Sequence, residues 1–275
     1  MKTWHCWALA VVLTLASAVW QRMTGPTYPA KGTAMIAGTR VAYSLLRTQI
    51  TGKVIPVTVV VDDAQVRGEV AWRRYPTEER WERVPMTREG SRLSSRLPTQ
   101  PMAGKIEYQV RLQEGGGPSV LVPERPAVAR FRREVPAWVL VPHVLCMFLG
   151  MLVATRAGLE AAVRRPLICR HAAWALGLLV VGGFFLGPLV QEFAFDAWWT
   201  GVPFGWDLTD NKTLVAIVAW ALAVWAAYRM RLGRRAVVAA AVITLVVYAI
   251  PHSVWGSQLD WNDSKPAPAA DPGLG

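Results

Sequence analysis

Two histidines, His143 and His252, are the residues of this chain best suited by type to hold a ligand. His143 falls inside a long uncharged run, and Met147, four residues further on, shares its helical face. His252 closes another such run, just ahead of Trp255. An imidazole pair with a nearby thioether has the chemistry of b-type haem ligation or of a metal site, provided the two helices are neighbours with a slot between them. A lone histidine near each helix end serves equally well as an interfacial group bonded to a carbonyl, a carboxylate or water, and that is the simpler reading.

The second concentration of reactive side chains lies in the connection from Gln191 to Thr213, with Glu192, Asp207, Asp210 and Lys212 among Trp199, Trp206 and several glycines. Acids this close together can guide a cation or proton. They can also do ordinary structural work, with Asp210 capping the helix that follows and Lys212 snorkelling or pairing with Asp207 or Glu192. Tryptophans interleaved with glycine and acids suit an ordered element that hugs a membrane surface. No nucleophile elbow, phosphate loop or paired-histidine zinc motif occurs, so hydrolase, phosphoryl-transfer and metalloprotease chemistry have no support.

These residues are positioned by apolar runs from Ala137 to Ala154, Ala172 to Val190, Thr213 to Tyr228 and Ala236 to Ile250. Each, with its flanks, approaches the ~20 residues a helix needs to cross lipid. The first residues, Met1 to Trp20, fit either an uncleaved anchor, the preferred reading, or a cleavable signal peptide ending at Ala16-Ser17-Ala18. Arginines at 156, 164, 165 and 170, and again at 229, 231, 234 and 235, mark two connections as cytoplasmic. The acidic, tryptophan-rich connection between them then faces the other side, as do Trp255 and Trp261 after the last span. Small residues four apart, such as Gly150 and Ala154 or Gly183 and Gly187, predict close helix packing, within the bundle or against another membrane protein. His171 is expected at the interface and His5 in no site. The net charge of +11 is scattered along strand-like segments and membrane flanks, so nucleic-acid binding is not expected. Cys6, Cys146 and Cys169 all lie in or beside apolar runs and the polar segment has no cysteine, so no disulfide staples it.

From Thr33 to Arg133 the pattern changes to short β-branched and aromatic runs. Strands are expected at Arg40 to Leu46, Pro56 to Val61, Val66 to Arg73, Arg80 to Pro85, Ser91 to Leu97, Lys105 to Leu112 and Ala127 to Arg133. In the sixth, Ile106, Tyr108 and Val110 alternate with Glu107, Gln109 and Arg111, which gives one apolar and one wet face. The densest basic region, Arg73, Arg74, Arg80, Arg83, Arg88 and Arg92 with interleaved glutamates, reads as a solvated face with cross-strand ion pairs.

Three stretches resemble immunoglobulin-like and fibronectin type III-like modules: VAWRRYP at Val70 to Pro76, ERWERVPM at Glu79 to Met86, and RLPTQPMAGKIEYQV at Arg96 to Val110. The paired cysteines of antibody domains are missing. The resemblance implies a sandwich with Trp72, Trp81 and Tyr108 as core residues, Tyr108 bonding the backbone through its hydroxyl. TGPTYP at Thr24 to Pro29, PHVLCMFLGML at Pro142 to Leu152 and WTGVPFGWDLTDNKT at Trp199 to Thr213 resemble stretches of poorly characterised bacterial inner-membrane proteins with an exported β domain. The last is also similar to the WWD segment of cytochrome c maturation proteins. It departs from that pattern because Trp198-Trp199 is followed by Thr200-Gly201 and the Trp-Asp pair comes later, at Trp206-Asp207.

The expected fold class is thus an integral membrane α-helical bundle of four helices plus an N-terminal anchor, with an all-β immunoglobulin-like sandwich. The expected segments are an anchor at 1–20, a periplasmic β domain at 21–135, the bundle at 136–255 and a disordered periplasmic tail at 256–275. The expected function is a non-enzymatic scaffold or accessory subunit of the bacterial inner membrane, with the bilayer and a membrane or periplasmic protein as partners and no required cofactor. A haem b or cytochrome-assembly subunit using His143, Met147 and His252 is the alternative, and a cation or proton transport component the second alternative.

Overall fold

The computed structural model describes residues 3–36, 38–163, 168–230, 232–251, 259 and 261. The chain divides into two units, a helical one formed by 1–26 with 134–257, and a β unit formed by 27–133 with 258–275.

The β unit holds two five-stranded sheets. One runs β1 (Ala30–Ile36), β2 (Thr39–Leu45), β4 (Ile55–Val60), β8 (Arg92–Leu97) and β7 (Thr87–Glu89). The other runs β3 (Thr48–Ile50), β10 (Ser119–Arg132), β9 (Lys105–Glu114), β5 (Val66–Arg74) and β6 (Glu82–Pro85). Neighbours are antiparallel except β3 and β10. Period-two alternation sends Val57 and Val59 from β4, Val70 and Trp72 from β5, and Ile106, Tyr108 and Val110 from β9 into one shared core. On the opposite face of β5 and β9, Arg73 pairs with Glu107 at 2.6 Å, and Glu69 is shared by Arg83 at 3.2 Å and Arg111 at 3.5 Å. Arg88 behaves differently from the other arginines of its region. Its guanidinium donates to the carbonyls of Val61, Asp63, Val66 and Gly90, tying β7 to the turn before β5.

The helical unit contains α1 (Thr3–Thr24), α2 (Ala137–Ala162), α3 (Ile168–Leu179), α4 (Gly187–Phe195), α5 (Leu208–Arg229) and α6 (Gly233–Ala249). A wide π-helical stretch, Val180–Leu186, joins α3 to α4, so Ile168–Phe195 runs as one rod. Pro188 supplies a reason for the widening, since it has no N–H for the carbonyl of Phe184 and its ring crowds that carbonyl. Four helices, α1, α2, the α3–α4 rod and α5, are long and apolar enough to cross a membrane. At 17 residues α6 is shorter than these. It ends at Ala249 because Pro251 drives Ile250 into extended backbone, φ −78° and ψ 118°.

Small residues set the helix contacts inside the unit. A Cβ at Gly158 would lie 2.4 Å from the Cβ of Ala241 on α6. One at Gly182 would lie 2.7 Å from Cys146, and one at Gly183 2.5 Å from Thr213. Apolar side chains including Val12, Leu15, Phe185, Leu222 and Val246 point outward, exposed. The three cysteines are free thiols.

Candidate functional site

The connection from α4 to α5 is ordered by its own polar side chains. Asp196, with φ +59°, turns the chain at the end of α4, its N–H returning to the Glu192 carbonyl at 2.9 Å. Asp207 is the N-cap of α5, accepting from the Thr209 N–H at 2.7 Å. Asp210, expected in that role, instead turns back into the connection. Its carboxylate accepts from the Thr200 N–H at 2.7 Å, and the Gln191 amide, oriented to suit both neighbours, donates to it at 3.1 Å. An Asp three residues into a helix is past the reach of the cap position, and Asp207 already fills it. Asn211 holds the Val202 N–H at 2.7 Å. Gly201 permits this closure: a Cβ there would come within 2.7 Å of Asp210 and 2.9 Å of Asn211. Trp199 donates to the Val202 carbonyl at 3.1 Å and packs its ring against Phe184. Trp206 and Phe204 stand free of the connection, 86% and 82% exposed.

Lys212, for which snorkelling was one of the expected roles, is instead turned inward. It is only 5% exposed and donates to the Ile250 carbonyl at 2.6 Å. The reason lies in the short α6, whose last carbonyls have no intrahelical partner. Gln21 donates to the Tyr248 carbonyl and Trp20 to that of Ala249, both at 3.1 Å, and Lys212 completes the cap. Three side chains from two helices, α1 and α5, thus converge on one helix end. A lysine one turn into an apolar run was the visible signal; its partner, contributed by another helix, was not.

His143 points its Nδ1 at the carbonyl of Gly182 in the π-helical stretch, 2.8 Å away. A carbonyl only accepts, so Nδ1 carries the proton and Nε2 holds the lone pair. Met147 packs its sulfur against the Gly182 and Gly183 backbone, and its carbonyl accepts from Tyr248 Oη at 2.8 Å. His252, the proposed second ligand, lies outside the described residues, as do Trp255 and the arginines at 164, 165 and 231. Among the described residues no cluster of three or more His, Cys, Asp or Glu is gathered as a metal site would require.

A further charged cluster was not anticipated from the sequence. The helix α2 runs on through Arg156 to Ala162, and Arg156 and Glu160 are 1% and 2% exposed. Arg156 Nη2 meets Glu160 Oε1 at 2.7 Å, while His171 of α3 donates through Nδ1 to the other carboxylate oxygen. Trp7 of α1 covers the guanidinium, 5.2 Å from its ring, and stands edge-on to His171. Arginine and glutamate four apart on a helix was the available signal. His171, eleven residues further along, is brought in by the α2–α3 turn.

In the β unit, Trp72 and Tyr108 lie in the core. Tyr108 Oη donates to the Leu46 carbonyl at 2.7 Å, across the core instead of to a nearby residue. Burial pushes its phenol well above the usual tyrosine range. Trp81 lies outside the core, half-exposed, with the Arg73 guanidinium 4.9 Å over its ring. It precedes the edge strand β6, where only Val84 reaches inward. Trp261, expected at a membrane interface, donates to the Tyr75 carbonyl at 3.0 Å.

Comparison with protein-family models, curated proteins and solved structures finds no match for the chain.

Proposed function

We propose that this chain is a non-enzymatic scaffold or accessory subunit of the bacterial inner membrane. Its helices anchor it, and its β unit, an immunoglobulin-like or fibronectin type III-like sandwich on the periplasmic side, presents a docking surface to a protein partner. The observation that carries this reading is the engagement of the polar side chains in the helical unit. Asp207 and Asp210 close the connection before α5, Lys212 caps α6, and Glu160 is shared by Arg156 and His171. Side chains fixed in this way serve architecture well and are poorly suited to exchanging protons with a substrate. The outward-facing apolar side chains of the helices support membrane insertion, and the arginine-bearing connections support the orientation. Full-length protein drawn gently from its native membrane is expected to carry a stoichiometric partner through two successive purification steps. Recovery of a lone monomer each time contradicts the proposal.

One observation favours a second reading, haem ligation. The Nδ1–Gly182 bond leaves His143 Nε2 as an oriented lone pair, the preparation an axial ligand needs. Protein expressed with ample haem then shows a Soret band that His143→Ala abolishes. A band-free spectrum removes this reading and leaves the first intact.

A further inference from the structure

The outer face of the sheet β1–β2–β4–β8–β7 carries its charge differently from the face of β5 and β9, where arginines are held by Glu69 and Glu107. Its cations are Lys31, Arg40, Arg92 and Arg96, which alternate with core residues along their strands and are all exposed. Among the described residues none of the four forms an ion pair, and Lys31 lies 5.4 Å from the Tyr28 ring. The acids of this face are Glu89, opposite Arg92 across the β7–β8 pairing, and Asp62, just past the end of β4. Neither closes on an arginine to form an ion pair.

Strand register fixes how these cations are arranged. Thr58 of β4 lies opposite Ser94 of β8, Val60 opposite Arg92 and Pro56 opposite Arg96. With Tyr43 opposite Val59, antiparallel pairing sets Ser44 beside Thr58 and Ala42 beside Val60. Lys31 lies opposite Ser44, and Met35 opposite Arg40. Ala42, Ser44, Thr58 and Val60 therefore form a block of short side chains, with Lys31 on one flank, Arg92 and Arg96 on the other and Arg40 at one end. Four strands at their usual spacing make this frame about 15 Å wide. Val60 and Met35 are 53% and 58% exposed, so apolar surface lies within the charged frame. An apolar centre inside a polar rim that contains arginine is the anatomy of a protein interface. These strands turn no tryptophan, tyrosine or phenylalanine outward, the side chains that seat a protein in a bilayer surface or stack on a nucleic-acid base.

We infer that this face docks an acidic protein surface, whose carboxylates meet Lys31, Arg40, Arg92 and Arg96 while its apolar side chains cover Val60 and Met35. The inference deepens the docking role proposed above and rests on it, naming the face of the β unit and the chemistry of the partner. Charges of one sign on the face speed the approach of a partner of the other sign and reject basic surfaces. Ser44 and Thr58, short and exposed, let the partner's side chains reach the sheet and offer hydroxyl donors to them.

The test uses full-length protein in mild detergent at low salt, where charge contacts are least screened, with fluorescein-labelled poly-L-glutamate as the probe. Arg40→Glu with Arg96→Glu is expected to weaken binding at least tenfold. Arg80→Glu with Arg125→Glu makes the same charge change at exposed positions outside this sheet, and is expected to stay within twofold of wild type. Equal loss in both pairs, the mark of net charge alone, overturns the proposal, as does wild type that fails to bind. Hyaluronate or dihexanoyl-phosphatidylglycerol bound more tightly than polyglutamate, with the same dependence on Arg40 and Arg96, assigns the face to a glycan or a lipid and also overturns it. Should the glutamate pair lower the unfolding midpoint, Arg40→Gln with Arg96→Gln carries the same comparison. A partner that co-purifies with wild type is expected to be lost from the Arg40→Glu, Arg96→Glu protein. Its equal retention by that protein contradicts this face alone, whereas arginine-dependent polyglutamate binding with no co-purifying partner contradicts the scaffold reading alone.

Discussion

At Glu160 one carboxylate holds Arg156 and His171 inside the helical unit, so its removal leaves a buried guanidinium without its counter-ion. Breaking one partner of such a pair costs about 3–5 kcal/mol, whereas replacing both with apolar groups of similar volume is often tolerated. Glu160→Gln is therefore expected to lower the unfolding midpoint of full-length protein in detergent sharply, and Arg156→Met with Glu160→Leu to lower it less. Tyr108 gives a pH-dependent counterpart in the β unit. Its phenol is raised in the folded state, so its contribution is complete below the unfolded value of about 10 and is lost as pH climbs from there toward the folded value. Thermal melts of the full chain across alkaline pH are expected to show this decline. Tyr108→Phe is expected to cost about 1–2 kcal/mol at neutral pH through the unpaired Leu46 carbonyl, and to flatten the alkaline decline.

Among the elements, the α3–α4 rod carries the tightest constraint. Gly182 lets α2 approach so closely that any Cβ would strike Cys146, and the same residue's carbonyl receives His143. Gly182→Val is expected to wedge α2 from the rod and destabilise the helical unit by about 1–3 kcal/mol, measured by unfolding in detergent. Elements with a strong period were legible in the sequence. Lys105–Glu114 alternates cleanly, and the apolar runs gave α2, the rod and α5 their places. The three-residue strands β3 and β7 are too short to show a period, and the first half of β10 is interrupted by Pro123 and Pro126, where the register shifts between Val122 and Ala127. The helix α2 outlasts the uncharged run that ends at Ala154, because a charged residue such as Arg156 marks a helix end in sequence only where no partner is buried with it. Glu160 and Trp7 make a buried arginine affordable there.

For the whole molecule, composition divided the chain into a charged β segment and apolar helices, and two units of that kind are what the chain forms. The candidate site was less legible. Asp207, Asp210 and Lys212 were visible as unusual residues, but their partners, Thr200, Gln191 and Ile250, depend on how a connection folds back and where a neighbouring helix stops. Pairing across helices leaves no local spacing to read. The proposal on which the functional reading turns is that the helices cross a membrane and leave the β unit on the side opposite the arginine-bearing connections. Its most direct test is single-cysteine labelling of Gly116→Cys and Arg164→Cys, in a background with Cys6, Cys146 and Cys169 replaced, using a membrane-impermeant maleimide on intact spheroplasts. Labelling of position 116 alone, with position 164 reacting only after permeabilisation, is the predicted result. Equal labelling of both before permeabilisation would contradict it.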